Sequence, residues 1–198
     1  MMMKTILPLG AALAASLALS GCFGGAKVPD TLMTLSAAQA RPAAATRTAG
    51  EGEAITVVVP SVPRELATLR VPVHESDTAV SYLKGAQWVE QPDALFARLL
   101  SETIAATTGR VVLDPSQFTF DPGRRLTGTL QRFGYNAPTA DAVAVYDATL
   151  ARTGGGVVTR RFEARVPVAA PDAANVAPAL NQTANQIAAE VAAWIGTV

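Results

Sequence analysis

The stretch VVTRRFEARV, residues 157–166, alternates apolar and charged side chains over its second half. Phe162, Ala164 and Val166 fall on one side of an extended chain, and the charged residues between them fall on the other. This period of two predicts a β-strand with one buried and one solvated face. The strand therefore lies in a sheet that another layer must cover.

Other strands are predicted on the N-terminal side of this one. Residues 143–152 form the first arm of a hairpin that turns through Thr153 and three glycines. Leu126 to Tyr135 reads as a longer strand whose apolar positions change phase, and a bulge near Gln131 and Arg132 reconciles its two halves. Shorter strands are predicted over 54–59, 76–83 and 111–113, with a proline-rich extended segment over 61–72.

Two helices are predicted to cover this sheet. The first begins at Pro92, ends at Gly109 and has an apolar face of Leu95, Phe96, Leu99, Leu100 and Ile104. The second follows Pro171, with Asn175 as its N-cap and Pro178 in its first turn, and its apolar stripe is Val176, Leu180, Ala184, Ile187, Val191 and Trp194. The order of elements predicts an α+β fold, a two-layer sandwich in which two helices cover one face of a mainly antiparallel sheet.

The N-terminus has the organisation of a bacterial lipoprotein signal peptide. Lys4 precedes an apolar run that is too short to span a bilayer, and Leu19, Ser20 and Gly21 stand before Cys22, the only cysteine of the chain. We predict cleavage after Gly21 and lipid attachment at Cys22, where two or three acyl chains make anchoring lasting. The alternative is an ordinary secretory signal followed by an incidental cysteine.

Three parts of the chain follow from this prediction. Residues 1–21 are the signal peptide, 22–53 are the acylated cysteine and a flexible tether, and 54–198 are the globular domain. Residues 31–35 allow a second interpretation, in which a short strand docks on the edge of the domain.

Composition excludes some functions. Sixteen basic and sixteen acidic residues balance, without a basic stripe that would indicate nucleic-acid binding. A single cysteine excludes an internal disulfide.

The sequence contains no pattern that predicts an enzyme. His74, the only histidine, lies beside Glu75 and Asp77, but a metal site or a catalytic triad would need further residues that the sequence lacks: a second histidine, or a serine in a nucleophile elbow. We interpret His74 as a solvated loop residue. No catalytic residue, metal or cofactor is predicted.

Other residue groups allow a structural interpretation beside a functional one. The glycines at 154–156 lack a following helix, so they predict a hairpin turn and not a phosphate loop. The pairs Arg124-Arg125 and Arg160-Arg161 are either solvated charges or contacts for phospholipid head groups or an acidic partner. Trp88 and Trp194 are predicted to be core residues rather than a ligand cage.

Five segments carry a resemblance to a known family: Val59-Pro60, 66–71, 80–90, 126–133 and 192–195. The most specific of them has a tyrosine, a short gap and then Gly-Ala-Gln-Trp-Val-Glu, ahead of an amphipathic helix. Together with the signal peptide, they are similar to the PqiC-like lipoproteins of the ABC-type transport auxiliary lipoprotein family. Gln87 stands where members of this family often have a basic residue.

The resemblance implies a non-enzymatic lipoprotein on the periplasmic face of the outer membrane. It implies an ABC permease and ATPase and an MCE-domain protein as partners, in a system that moves phospholipids or other hydrophobic molecules between membranes. The lipoprotein would dock the MCE protein, and a homo-oligomeric ring is compatible with this role. Phe23 agrees with sorting to the outer membrane, because an aspartate there would indicate inner-membrane retention. Three alternatives remain: a lipid-binding carrier, an assembly factor for another envelope complex, and an anchored hydrolase.

Overall fold

The computed structural model describes residues 29–39, 46–50, 53–115, 123–152 and 154–197. These residues form one sheet of seven strands and two helices, and both helices pack on the same face of the sheet. In chain order the elements are β1 (Ile55–Val57), β2 (Arg70–Ser76), β3 (Ala79–Gln87), α1 (Pro92–Thr108), β4 (Val112–Leu113), β5 (Arg124–Asn136), β6 (Asp141–Ala151), β7 (Val157–Pro167) and α2 (Ala173–Thr197). The α+β sandwich predicted from the sequence is confirmed.

Strand β5 is the centre of the sheet because it forms hydrogen bonds along both of its edges. On one edge it pairs antiparallel with β6, and β7 follows antiparallel beyond β6. On the other edge its start pairs in parallel with β1 and its end with β2, while Ser61 bridges Thr129 between them. β4 flanks β1, and β3 flanks β2.

The predicted bulge in β5 lies at Gln131. Leu130 is opposite Tyr146 and Arg132 is opposite Val145, so Gln131 has no residue opposite it. One extra residue in a strand reverses the faces of all the residues that follow. The bulge therefore places Phe133 on the same buried face as Leu130, as the phase change predicts.

The helix α1 has the predicted ends and the predicted buried face. Pro92 opens it and Gly109 caps it in the left-handed conformation, with φ of 70°. Every residue of the predicted stripes of both helices is buried, including Leu100 in α1 and Ile187 in α2. Phe96 of α1 lies edge-on to Tyr146 of β6, with 5.2 Å between the ring centroids.

The predicted start of α2 is wrong by three residues. Asp172, not Asn175, caps the helix, because Asp172 Oδ1 accepts a hydrogen bond from the backbone N–H of Asn175 at 2.9 Å. Hydrogen bonds from the Asn175 side chain and backbone lower the pKa of Asp172. A carboxylate at this position also complements the positive end of the helix dipole. Pro178 consequently lies inside the helix and not in its first turn.

The predicted extended segment over 61–72 and strand over 76–83 have the wrong boundaries. Residues 64–69 turn back on themselves, and β2 and β3 form a hairpin over residues 70–87. The prediction placed Pro72 at the end of an extended segment, but it lies inside β2 opposite Tyr82. A register shift between Arg70 and Pro72 accommodates the proline, which cannot donate to a regular ladder.

Residues 29–39 pack against the sheet and helices. Met33 is only 7% exposed and bridges Trp88 in parallel, where its N–H donates to Gln87 O at 2.7 Å and its carbonyl accepts from Val89 N at 2.8 Å. Residues 31–35 therefore dock on the edge of the domain, as the second interpretation has it, but through a single bridge at Met33 and not as a strand. The boundaries at residues 21 and 53 remain predictions.

Candidate interaction surfaces

A groove of about 390 Å³ lies between α1 and the ends of β1 and β4. Val57, Val59, Val112 and Leu113 give it apolar walls. β4 is only two residues long and pairs with Ile55 and Thr56, whereas the chain beyond Val57 stays hydrogen-bonded to β5 through Val58 and Ser61. Val57 is 4% exposed, whereas Val59 is 49% exposed. The sheet thus leaves apolar side chains accessible beside the helix.

The rim of the groove is polar and predominantly acidic. The polar side of α1, which the helical pattern predicts to face away from the core, supplies Arg98, Ser101 and Glu102. Glu90 and Asp114 complete the rim, and the Arg98 guanidinium pairs with the Glu90 carboxylate. Both side chains of this pair are about half exposed, so the pair contributes little to stability. Among the described residues of the rim, carboxylates outnumber guanidinium groups, so this rim favours a ligand that carries positive charge.

His74 is not the solvated loop residue that the sequence predicts. It lies in β2, its side chain is 14% exposed, and its Nε2 is 3.3 Å from Glu65 Oε1 in the turn before the strand. Burial is the largest cause that lowers the pKa of His74; Arg132 lowers it further, and Glu65 partly opposes them. Nε2 makes no hydrogen bond to any described residue. His74 is therefore predominantly neutral at pH 7, and the charged groups that act on it are a carboxylate and a guanidinium.

The two arginine pairs do not form a basic patch. Neighbouring residues of a strand point to opposite faces, so each pair is divided. On the face away from the helices, Arg161 holds Asp147 in two hydrogen bonds of 2.6 and 2.7 Å. These bonds lower the pKa of Asp147. Arg160 lies instead over the Phe162 ring, 4.9 Å from its centroid, and Arg124 contacts the carbonyl of Ile195 at the end of α2.

The glycines at 154–156 form the predicted turn between β6 and β7. All three have positive φ values, and the Arg152 N–H donates to the Gly156 carbonyl across the turn. Strand β7 follows directly, so no helix N-terminus faces this turn. Thr153 lies outside the described residues.

Both tryptophans belong to the core, as predicted. Trp88 stacks on Phe133 with 5.4 Å between centroids, and Trp194 meets Phe162 edge-on at 5.7 Å.

The predicted lipid-attachment residue Cys22 and its cleavage motif, Leu19, Ser20 and Gly21, lie outside the described residues. Neither of the two helices in the described ranges is long and apolar enough to cross a bilayer. Over the same ranges, no three histidine, cysteine or acidic side chains converge into a group that could hold a metal ion.

Sequence reasoning missed the groove and the Glu65–His74 contact. The groove walls come from segments between residues 57 and 115, and no local pattern links them. The one trace in the sequence is the apolar run over 54–59, which continues through Val58 and Val59 beyond the observed end of β1 at Val57. When an apolar run extends beyond the end of its strand, the extra apolar side chains can remain accessible at the surface.

The model of one protein family, the ABC-type transport auxiliary lipoprotein component, matches residues 34–192. Two crystal structures share the fold with a TM-score of 0.65 each. One is a protein from Xanthomonas campestris assigned to the family DUF330, 19% identical, with 83% of this chain and 92% of that chain covered. The other is an uncharacterised protein, 20% identical, with 73% and 93% covered. A comparison with curated protein sequences found no match.

Proposed function

Because this chain belongs to the family of ABC-type transport auxiliary lipoprotein components, we propose that it is a non-enzymatic docking protein of an intermembrane lipid transporter. The lipid on Cys22 anchors it to the periplasmic face of the outer membrane. Its partners are an MCE-domain protein and, through that protein, an ABC permease and ATPase. The observation that carries this proposal is the extent of the family match, which covers residues 34–192 and so nearly the whole domain.

The surroundings of His74 support a role without catalysis. The side chains that act on it are Glu65 and Arg132, and its Nε2 makes no hydrogen bond to a described hydroxyl that it could activate. We expect a His74→Ala variant to keep its transport phenotype. A loss of transport in a folded His74→Ala protein would favour the anchored hydrolase.

The groove beside α1 is the surface where we expect the MCE partner to dock. Its apolar walls match hydrophobic side chains, and its acidic rim matches a segment with lysine or arginine residues. Its volume of about 390 Å³ lies near the lower end of the roughly 300–1,000 Å³ of small-molecule sites. A few side chains of a partner therefore fill it.

Lipid attachment is tested first. Cells that produce the wild-type chain or a Cys22→Ala variant are given labelled palmitate, and their membranes are separated by density. We expect label in the wild-type protein alone, and wild-type protein in the outer-membrane fraction. An unlabelled or freely soluble wild-type protein would contradict the anchoring.

Docking is tested by crosslinking in the native envelope. We expect the MCE-domain protein among the crosslinked products of the wild type. A Glu102→Arg variant should yield less of it, because charge reversal at the groove repels basic residues. Glu190→Arg makes the same change at an exposed site on α2 and should leave the yield unchanged. Channel subunits without an MCE protein would indicate assembly of another envelope complex, and stoichiometric lipid in extracts of the purified protein would indicate a carrier.

A further inference from the structure

Residues 33–38, which we call the strap, are held to the domain by hydrogen bonds at both ends. At the start, Met33 extends the sheet beside Trp88, as described above. At the end, two asparagines of α2 bind the backbone: Asn181 Oδ1 accepts from Ser36 N at 2.9 Å, and Asn185 Oδ1 accepts from Ala38 N at 2.7 Å. Asn185 Nδ2 also donates to the Ser36 carbonyl at 2.9 Å.

The two asparagines are four residues apart, so they lie one above the other on the same side of α2. An amide side chain has the donor and acceptor of a peptide group. Asn185 uses both its amide oxygen and its amide nitrogen on the strap. Asn181 and Asn185 together therefore supply the hydrogen bonds that a neighbouring strand would otherwise make. This contact is specific to an extended chain in one register.

The strap shortens the connection between the domain and its lipid anchor. Cys22 and Met33 are eleven residues apart, which span at most about 36–40 Å when fully extended. A tether free as far as Ala54 would instead reach about 105–115 Å. The domain is consequently held close to the membrane, with the chain entering at Met33.

Met33 also defines which side of the domain is nearest to the anchor. The order across the sheet is β7, β6, β5, β2, β3 and then Met33, so Met33 and β7 lie at opposite edges, about 24 Å apart. We call the Met33 side, formed by Leu32, Met33, Trp88 and Val89, the Met33 edge. Leu32 is 42% exposed and Val89 is 53% exposed.

We propose that the Met33 edge contacts the lipid surface in which the acyl chains of Cys22 are embedded, while β7 points away from it. The inference rests on the proposed acylation of Cys22. The short connection keeps the Met33 edge at high effective concentration at the membrane. Exposed aliphatic side chains at that edge gain free energy from contact with the boundary between head groups and acyl chains.

The test uses the full acylated protein in vesicles of phosphatidylethanolamine and phosphatidylglycerol. Cys22 is the only natural cysteine and its thiol is acylated, so a single introduced cysteine takes a fluorescent maleimide. The label is placed at Val89→Cys, and at Thr159→Cys on β7 as the matched control, because both positions are exposed. Lipids with a spin label at the head group act as the quencher.

We expect at least twofold stronger quenching at position 89 than at position 159. Circular dichroism and the thermal midpoint should be unchanged in both variants. If the protein incorporates palmitate but quenching is equal at the two positions, or stronger at position 159, then the proposed contact of the Met33 edge with the membrane is wrong while the anchoring stands. Absence of palmitate would overturn the anchoring as well, so the two failures are distinguishable.

Discussion

Gly128 of β5 lies so close to Tyr146 and Asp147 of β6 that there is no room for a side chain at this position. A methyl group at this position would lie 2.3 Å from the Asp147 carbonyl oxygen and 2.7 Å from Tyr146 Oη. Tyr146 is fully buried, and its hydroxyl donates to the Thr127 carbonyl at 3.1 Å. Burial raises the pKa of Tyr146, so its hydroxyl group stays protonated and can donate this hydrogen bond. The neighbours cannot move aside without loss of this hydrogen bond.

We therefore expect Gly128→Ala to lower the free energy of unfolding by about 1–3 kcal/mol, the usual cost of overpacking a core. Gly196→Ala is the matched control, because nothing lies within 4 Å of its added methyl group and alanine favours a helix. Urea unfolding measures both. A Gly128→Ala protein as stable as the control would show that the close approach is not maintained in solution.

The pKa of His74 links stability to pH. Burial and Arg132 hold it below the ordinary value of 6.5, so the unfolded chain binds a proton that the folded chain resists. Stability contributed by the neutral ring is complete above about pH 6.5 and is lost as the pH falls towards the pKa of the folded state. Glu65 opposes this shift, but it is the smallest of the three causes.

A His74→Gln variant should lose this part of the pH dependence. We expect the difference between the urea midpoints of wild type and variant to be constant above about pH 7 and to shift in favour of the variant towards about pH 5. Arg132→Gln, with His74 present, should weaken the wild-type dependence because it removes one cause of the low pKa. Parallel pH profiles for wild type and His74→Gln would contradict the assignment.

At the scale of elements, the sequence predicted those features that depend on residues close together in the chain. The alternation in β7 and the stripes of α1 and α2 each describe one buried face, and each is confirmed. Strand β2 was missed because its register is set by a bulge at Pro72 and by parallel pairing with the distant end of β5. The groove was missed for the same reason: its walls meet only after the sheet has formed. The predicted lipid-attachment motif could be recognised in the sequence because a signal of this kind is a short local segment.

The stripe of α2 makes a direct prediction about this element. Ile187 is fully buried in it, so Ile187→Ala should destabilise the protein by about 2–5 kcal/mol through lost burial and the cavity left behind. Gln186, its exposed neighbour, provides the control, and Gln186→Ala should change stability by no more than about 0.5 kcal/mol. Thermal and urea unfolding measure both changes. Equal effects would mean that α2 does not cover the sheet in solution.

At the scale of the whole molecule, the position of the strap decides where the folded unit begins. The sequence predicts a domain boundary before Ala54, but Met33 is buried against Trp88, and the guanidinium of Arg47 donates to the Ala105 carbonyl in α1. These contacts lie on the N-terminal side of the predicted boundary. A polypeptide that starts at Ala54 would expose the outer edge of Trp88 and leave Asn181 and Asn185 without their backbone partners.

We therefore expect residues 29–198 to be more stable than residues 54–198 by at least about 2 kcal/mol, since burial of one methionine side chain alone contributes about 1.5–3 kcal/mol. Urea unfolding compares the two polypeptides in a Trp194→Phe background, where fluorescence reports on Trp88 alone. The emission of the shorter polypeptide should shift to longer wavelength as water reaches this ring. Equal midpoints and equal emission would show that residues 29–53 do not stabilise the domain, and the boundary before Ala54 would then stand.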